Sequence, residues 1–159
     1  MKKLILLMLL LPLFANAQTD PNEKKSDGKF RFISAAKTVS QPAVRKENSP
    51  KKLKDDEVYT GAVKFKTGSN EINCDSAISF TNEGIVMAYH VSITNPESFD
   101  IQGDVLNYNK DDNTGTLTNN ITVTAKNGNV VGTSDNFKID FSYEIYRVIN
   151  GAITPPKQN

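Results

Sequence analysis

The feature that most constrains this chain is a two-residue hydrophobic period that begins near Tyr59 and continues almost to the C-terminus. Apolar residues alternate with more polar ones over 62–66, 85–93, 121–124 and 137–142. This period is typical of β-strands with one apolar face, whereas an amphipathic helix repeats about every 3.6 residues. No helix-period stretch follows the first residues of the chain. We therefore predict an all-β domain built from antiparallel strand pairs.

Short turn signals separate these stretches at fairly even intervals, which argues against a parallel α/β architecture. They fall at 67–70, 81–84, 95–96, 110–113 and 126–129. The domain also repeats itself. Asp75, Asp104 and Asp135 lie 29 and 31 residues apart, and each opens a unit of a strand, a turn and a return strand.

A single hairpin cannot bury its apolar face, so repeated units are expected to stack. Two sheets facing each other would place the apolar residues between them, as in a sandwich or a roll. The outermost strands would keep unpaired edges that can pair with another copy or another protein. Because the aspartates recur with the repeat, we expect them to make turn or strand-end hydrogen bonds and not to act as catalytic carboxylates.

The first residues are predicted to be a signal peptide, residues 1–17. Lys2 and Lys3 precede an apolar run at 4–14, and Ala-Asn-Ala at 15–17 supplies the small residues of a cleavage site before Gln18. A retained membrane anchor is the alternative, but the apolar run is shorter than the roughly 20 residues of a spanning helix. This leader predicts the periplasm, the inner face of an outer membrane or the exterior.

Residues 18–58 form a polar segment with ten Lys and Arg against seven Asp and Glu. Few large apolar residues occur in it, so we expect a mostly disordered arm. Phe30–Ile33 alternates and predicts an added edge strand or a docking segment. The arm is a solvated tether or touches an anionic membrane surface. The β domain is expected at 59–154, where six basic and eleven acidic residues argue against nucleic-acid binding, and 155–159 form a tail.

Few side chains suggest a catalytic, metal-binding or reactive site. His90 is the only histidine and has no clustered Cys or acidic partners in the sequence, so it predicts no metal site. The run 111–113 lacks the glycine and the distal glutamate of a calcium loop. Cys74, the only cysteine, lies on the apolar side of a predicted strand, which favours a buried hydrophobe over a reactive thiol. We expect no cofactor and no enzymatic activity, and an envelope hydrolase would need a catalytic constellation that the sequence does not offer.

The repeat resembles the OstA-like family, the periplasmic lipopolysaccharide-transport proteins of the LptA and LptC type. The resemblance rests on a recurring pattern with two parts. The first is a small residue or glycine followed by Asp, and the second, after a strand and a turn, is Gly or Asn before an alternating apolar strand. It covers about 59–153 and is carried by Cys74–Ala77, Gly103–Tyr108 and Asn119–Val123.

This resemblance implies an OstA-like β-jelly-roll, a folded-over sheet whose groove holds the acyl chains of lipopolysaccharide or a related lipid. It also implies that copies or other OstA-like envelope proteins join through sheet edges to bridge the two membranes of a Gram-negative cell. The large apolar residues expected to face inward are Phe65, Ile85, Met87, Tyr89, Val91, Ile121, Val123, Phe137, Ile139 and Phe141. Two alternatives stay open: the same residues close a dry, filled core, or the domain is a structural or protein-interaction module that works through edge-strand pairing.

Overall fold

The computed structural model describes residues 29–43 and 54–156. The predicted signal peptide, its cleavage site and the last three residues lie outside them. The described residues form strands, turns and irregular connections, and none of their elements is a helix that could cross a membrane. The strands are β1 (Arg31–Ser34), β2 (Lys37–Gln41), β3 (Asp56–Thr67), β4 (Asn70–Phe80), β5 (Ile85–Thr94), β6 (Asp100–Asn109), β7 (Thr114–Thr124), β8 (Val130–Asp140) and β9 (Arg147–Asn150).

All these strands belong to one antiparallel sheet, which confirms the all-β prediction. From β3 to β9 each strand pairs with the next one along the chain. The connections between β3 and β8 coincide with the predicted turns, whereas the β8–β9 connection at 141–146 matches none of them. Both β1 and β2 pair with β3, at its two ends.

Left-handed backbone conformations interrupt every second strand near its middle. They occur at Gly61 and Ala62 in β3, at His90 in β5, and at Asn119 and Asn120 in β7, with φ between 48° and 75°. Such conformations are uncommon outside glycine and produce bulges that bend a strand. Because neighbouring strands bend at the same level, the sheet folds along a line across its middle, which we call the fold line.

The fold line divides the sheet into two halves. The first half comprises 31–34, 63–67, 70–74, 91–94, 100–103, 121–124 and 130–134; the second half comprises 37–41, 56–60, 76–80, 85–89, 105–109, 114–118, 136–140 and 147–150. The inner faces of the two halves meet each other, and their outer faces point away.

The repeated aspartates lie on the fold line, on the strands between the interrupted ones. The Nδ1 of His90 lies 3.0 Å from Oδ2 of Asp75, and Asn120 donates to Asp104 at 2.7 Å. Asp135 follows Ser134, at the level of the break in β7. A repeated structural position is therefore observed, but the prediction of turn or strand-end positions is wrong. The residues lie in mid-strand, where the repeat marks a bend.

Part of the segment expected to be a disordered arm is strand. β1 and β2 behave as one edge strand broken at the fold line, where Ala36 N–H donates to the carbonyl of Gly61 at 2.8 Å. A Cβ on Gly61 would lie 2.7 Å from the Cβ of Ala36, so this close approach requires glycine. The β domain therefore extends beyond 59–154 at its N-terminal side, and the edge-strand interpretation of Phe30–Ile33 describes β1.

Candidate functional site: the interior of the folded sheet

The space between the two halves is largely apolar, with Thr67 and Ser79 as buried polar side chains on the inner face. Buried side chains from the inner faces fill it, and many are fully shielded from solvent. In the second half, alternate positions of neighbouring strands align in register, so that Ala77, Ala88, Leu106, Leu117 and Phe137 form one inner row. Contacts across the interior join the halves into a single core.

Aromatic rings line the interior from the β1 edge toward the loop at 141–146. Phe30, just before β1, stacks on Phe65 at 4.7 Å and on Tyr108 at 4.3 Å between ring centroids. Tyr108 contacts Phe141 at 5.6 Å, and Phe141 contacts Tyr146 at 6.3 Å. Phe65 belongs to the first half and Tyr108 to the second, so Phe30 bridges the halves at the open side of the fold.

Seven of the ten residues predicted to face inward are buried: Phe65, Val91, Ile121, Val123, Phe137, Ile139 and Phe141. For the other three, Ile85, Met87 and Tyr89, the inward prediction is wrong. They are half-buried on the outer face, while Val86 and Ala88 between them are 1% exposed and face the interior.

The error has a single cause. In β5 the buried positions are even-numbered up to Ala88 and odd-numbered from Val91, because the left-handed His90 shifts the alternation at the fold line. A strict two-residue period drawn through 85–93 assigns one side of His90 to the wrong face.

Asparagine side chains close the rim where the strand ends of the two halves meet. Asn70, fully buried at the β3–β4 turn, donates to the carbonyl of Tyr143 at 3.2 Å and accepts from the backbone N–H of Tyr146 at 3.2 Å. Asn95 donates to Asn70 at 2.8 Å and to the carbonyl of Glu144 at 2.7 Å. The loop at 141–146 is thus fastened across the rim by side chains of the opposite half. We call these contacts the rim seal.

A second group of bonds extends the rim seal on the side of Asn113. Its Nδ2 donates to the carbonyl of Phe141 at 3.0 Å, and its Oδ1 accepts from the hydroxyl of Tyr108. The Tyr146 hydroxyl donates to the carbonyl of Phe99. Burial raises the pKa of Tyr146 to about 12 and raises that of Tyr108 further, so both hydroxyls stay protonated donors.

The strand β1 is the least protected wall of the interior. Phe32 stacks on Tyr59 at 4.5 Å yet is 43% exposed, and its neighbour Ile33 is 50% exposed. The same edge exposes Val39 on β2, and the opposite edge of the sheet exposes Ile149 on β9. Among the described residues, each edge strand pairs with one neighbouring strand and presents apolar side chains beside its other side, which is the arrangement that favours strand addition.

Other candidates from the sequence occupy structural places. Cys74 is 5% exposed in the core, as predicted, and burial raises the pKa of its thiol to about 11. The exposed His90 contacts Asp75, and no group of metal-ligating side chains occurs within 29–43 and 54–156. Sequence reasoning missed Asn70, Asn95 and Asn113, whose positions in turn signals indicated only loops.

Comparison with known proteins agrees with the all-β fold. A family model described as OstA-like protein matches residues 39–154. The chain belongs to the OstA-like family. Among solved structures it is similar to the crystal structure of LptH from Pseudomonas aeruginosa, described as the LptA homologous periplasmic component of the conserved lipopolysaccharide transport device. The TM-score is 0.50 at 15% identity, over 82% of this chain and 91% of that chain, so this likeness shows the fold. A search of curated proteins gave no match.

The OstA-like match begins inside β2 and ends at Thr154, which bridges to Thr133 on β8. It therefore includes the end of β2 and all of β3 to β9 but not β1, and it starts earlier than the resemblance at 59–153. The family pattern thus extends into the segment whose composition predicted an arm.

Proposed function

We propose that this OstA-like protein carries the acyl chains of lipopolysaccharide or a related lipid through the periplasm, between the two halves of its sheet. The observation that carries the proposal is the largely apolar interior, bounded by a rim seal and by a half-exposed β1 strand. Membership of the OstA-like family supports the same assignment, as does the likeness to LptH, a component of a lipopolysaccharide transport device. The role is non-enzymatic, and a cleaved signal peptide before Gln18 delivers the chain.

The entry route follows from the packing. Side chains fill the interior, so acyl chains can enter only by displacing some of these side chains. Phe30 and Phe32 are the replaceable groups, because they pack onto the core from β1 and the residue before it, and β1 pairs with β3 alone among the described strands. Each buried CH₂ of an acyl chain contributes about 0.8 kcal/mol, so a few methylenes offset the displaced aromatic contacts. Sugar and phosphate groups would stay in water at the rim, and the direction of movement would come from a partner.

The experiment is photocrosslinking in cells with a benzophenone side chain at Phe30, which faces the interior, and at Thr122, on the outer face of the first half. We expect a lipid adduct at position 30 and none at position 122. The intact mass of the purified protein would at the same time check cleavage before Gln18. A folded protein without lipid adducts at position 30 would overturn lipid carriage.

The exposed edges favour a second candidate, a protein-interaction module that works by strand addition. Val39 on one edge and Ile149 on the other are 38% and 46% exposed. Under this reading, a benzophenone at Val39 crosslinks to an envelope protein or to a second copy while position 30 yields no lipid. Lipid at position 30 together with protein at position 39 would indicate a carrier that also assembles through its edges.

A further inference from the structure

The outer face of the second half carries a contiguous apolar patch that the lipid carrier does not need. We call Ile78, Phe80, Ile85, Met87, Tyr89 and Val105 the outer patch. Ile78 pairs in register with Met87, Phe80 with Ile85, and Tyr89 with Val105, so their side chains are cross-strand neighbours on three adjacent strands. All six are half-buried, the exposure expected of an uncovered sheet face.

The same three strands provide an internal comparison on the other side of the fold line. The outer positions of β4–β6 in the first half are Glu71, Asn73, Ser92, Thr94, Asp100 and Gln102. All six of these positions are polar, whereas on the second half six of the nine outer positions are apolar and three are polar (Ser76, Asn107 and Asn109). The outer patch is therefore not a general property of these strands, and contiguous exposed apolar surface marks interaction sites.

The outer patch is centred on interior strands, although its middle row continues through Val58, which pairs with Ile78, to Val39 on the β2 edge. β4, β5 and β6 are interior strands whose backbone groups pair on both sides. A partner cannot add a strand here and must pack side chains onto the face. Three strands about 4.8 Å apart and five residues long at about 3.3 Å each offer an area about 15 Å across. That area suits one amphipathic helix of about ten residues, at about 1.5 Å per residue.

Charge around the outer patch selects among possible occupants. Asp75 and Asp104 border it at the fold line, and Asp56, Glu83 and Asp111 border it at the strand ends. The cations on this outer face or at its strand ends, within the described residues, include Lys37, Lys54 and Lys138. The neighbouring Lys110 turns its ammonium group toward Ser79, to which it donates at 2.8 Å. The border is therefore acidic. It repels anionic lipid headgroups and the same border of a second copy, and it attracts a basic partner.

From these observations we infer that the outer patch docks a basic amphipathic helix of a partner protein. Apolar side chains of that helix would cover Ile78 and Met87 at the centre, and its Lys or Arg residues would lie against the five bordering carboxylates. This inference does not depend on lipid carriage, because the outer patch lies on the opposite side of the sheet from the interior.

The test uses the full mature chain and a labelled 14-residue peptide of leucine and lysine with leucines at helical spacing. A peptide with glutamate in place of lysine is the matched probe. We expect the lysine peptide to bind, with an affinity that falls as salt rises, and the glutamate peptide not to bind. The double variant I78S/M87S should weaken binding at least tenfold, whereas N73A/S92A, the equivalent pair on the first half, should leave it unchanged. Glu83→Lys should weaken binding several-fold without changing the apolar surface.

A benzophenone at Met87 or at Ser92, in an otherwise unchanged chain, keeps the test independent of the folding of the double variant. The peptide should crosslink at position 87 and not at position 92. The inference is overturned if neither peptide binds, or if I78S/M87S binds the lysine peptide as well as the wild type. It is also overturned if the outer patch instead mediates binding to phosphatidylglycerol vesicles, or a dimer that I78S/M87S abolishes. Lipid crosslinking at Phe30 should be unaffected by I78S/M87S, so failure here is distinguishable from failure of the carrier proposal.

Discussion

The two halves of the folded sheet are alike on the inside and different on the outside. Inside, both halves present buried apolar side chains, such as Ile121 in the first half and Leu106 in the second. Outside, the first half is polar along β4–β6, while the second half carries the outer patch. The fold requires the inner likeness, because neither half could bury its face alone. It does not require the outer difference, so that difference carries information about interaction and not about folding.

The largest effects should come from the shared interior. Leu106→Ala and Ile121→Ala remove side chains that are at most 1% exposed, one from each half. Each should lower the free energy of unfolding by about 2–5 kcal/mol, since lost burial and a residual cavity add together. Urea denaturation followed by circular dichroism measures this loss. The outer neighbours Asn107→Ala and Thr122→Ala should stay within about 0.5 kcal/mol. A large loss for only one inner variant would contradict a core shared equally by the halves.

The rim seal should give the next largest effect, because it joins the halves where their strand ends meet. Asn70→Ala leaves the backbone N–H of Tyr146 and the carbonyl of Tyr143 without their partner. A buried group left unpaired costs about 1–3 kcal/mol. Amide hydrogen exchange should also accelerate in the loop at 141–146 more than in β4–β6. Asn73→Ala, on the outer face of the same strand, is the control, and equal exchange in both variants would mean that Asn70 does not fasten the loop.

The sequence predicts the interior well except in β5, where the prediction holds on one side of the bend and fails on the other. Alternation correctly identified Val91, Phe137 and Ile139, because a two-residue period holds wherever a strand is regular. It failed at Met87, because one left-handed residue, His90, shifts the phase, and histidine does not signal such a conformation. The aspartate repeat did mark the bends, but its position in mid-strand could be read only from the strand pairing.

The rim seal and strands β1 and β2 could not be predicted from the sequence, for other reasons. Asn70 and Asn95 hydrogen-bond to residues that are 76 and 49 positions away, and no local pattern encodes such distances. β1 and β2 are short strands with exposed side chains, so their composition is that of a polar arm. Pairing with β3 supplies the order that the composition does not predict.

At the fold line that separates the halves, replacing a residue by glycine should stabilise the protein, whereas the same replacement in a regular strand should destabilise it. Ala62 is exposed and has φ of 48°, so its Cβ strains the backbone without packing against the core. Ala62→Gly should raise the free energy of unfolding by about 0.5–1 kcal/mol, and Ala62→Val should lower it by about 1–2 kcal/mol. Thr122→Gly, in the regular part of β7, should be destabilising. Urea midpoints of the three variants provide the measurement, and a destabilising Ala62→Gly would show that the left-handed bend at this position is not strained.

The smallest effect should come from the polar outer face of the first half, where Lys64 contacts Glu71 at 3.0 Å. Hydrogen bonds from Asn73 and Lys64 lower the pKa of Glu71. Because the pKa of Glu71 is lower in the folded state, its ionised carboxylate stabilises the fold at pH values above the unfolded pKa of about 4.3. This stabilisation is lost as the pH falls through the folded-state pKa. Both side chains are about 40% exposed, so solvent screening keeps the contribution of the pair below about 0.5 kcal/mol. Glu71→Gln should therefore lower the free energy of unfolding slightly at pH 7 and low salt. The difference from the wild type should shrink below pH 4 and in 1 M salt. A difference independent of both pH and salt would mean that Glu71 contributes through packing and not through its charge.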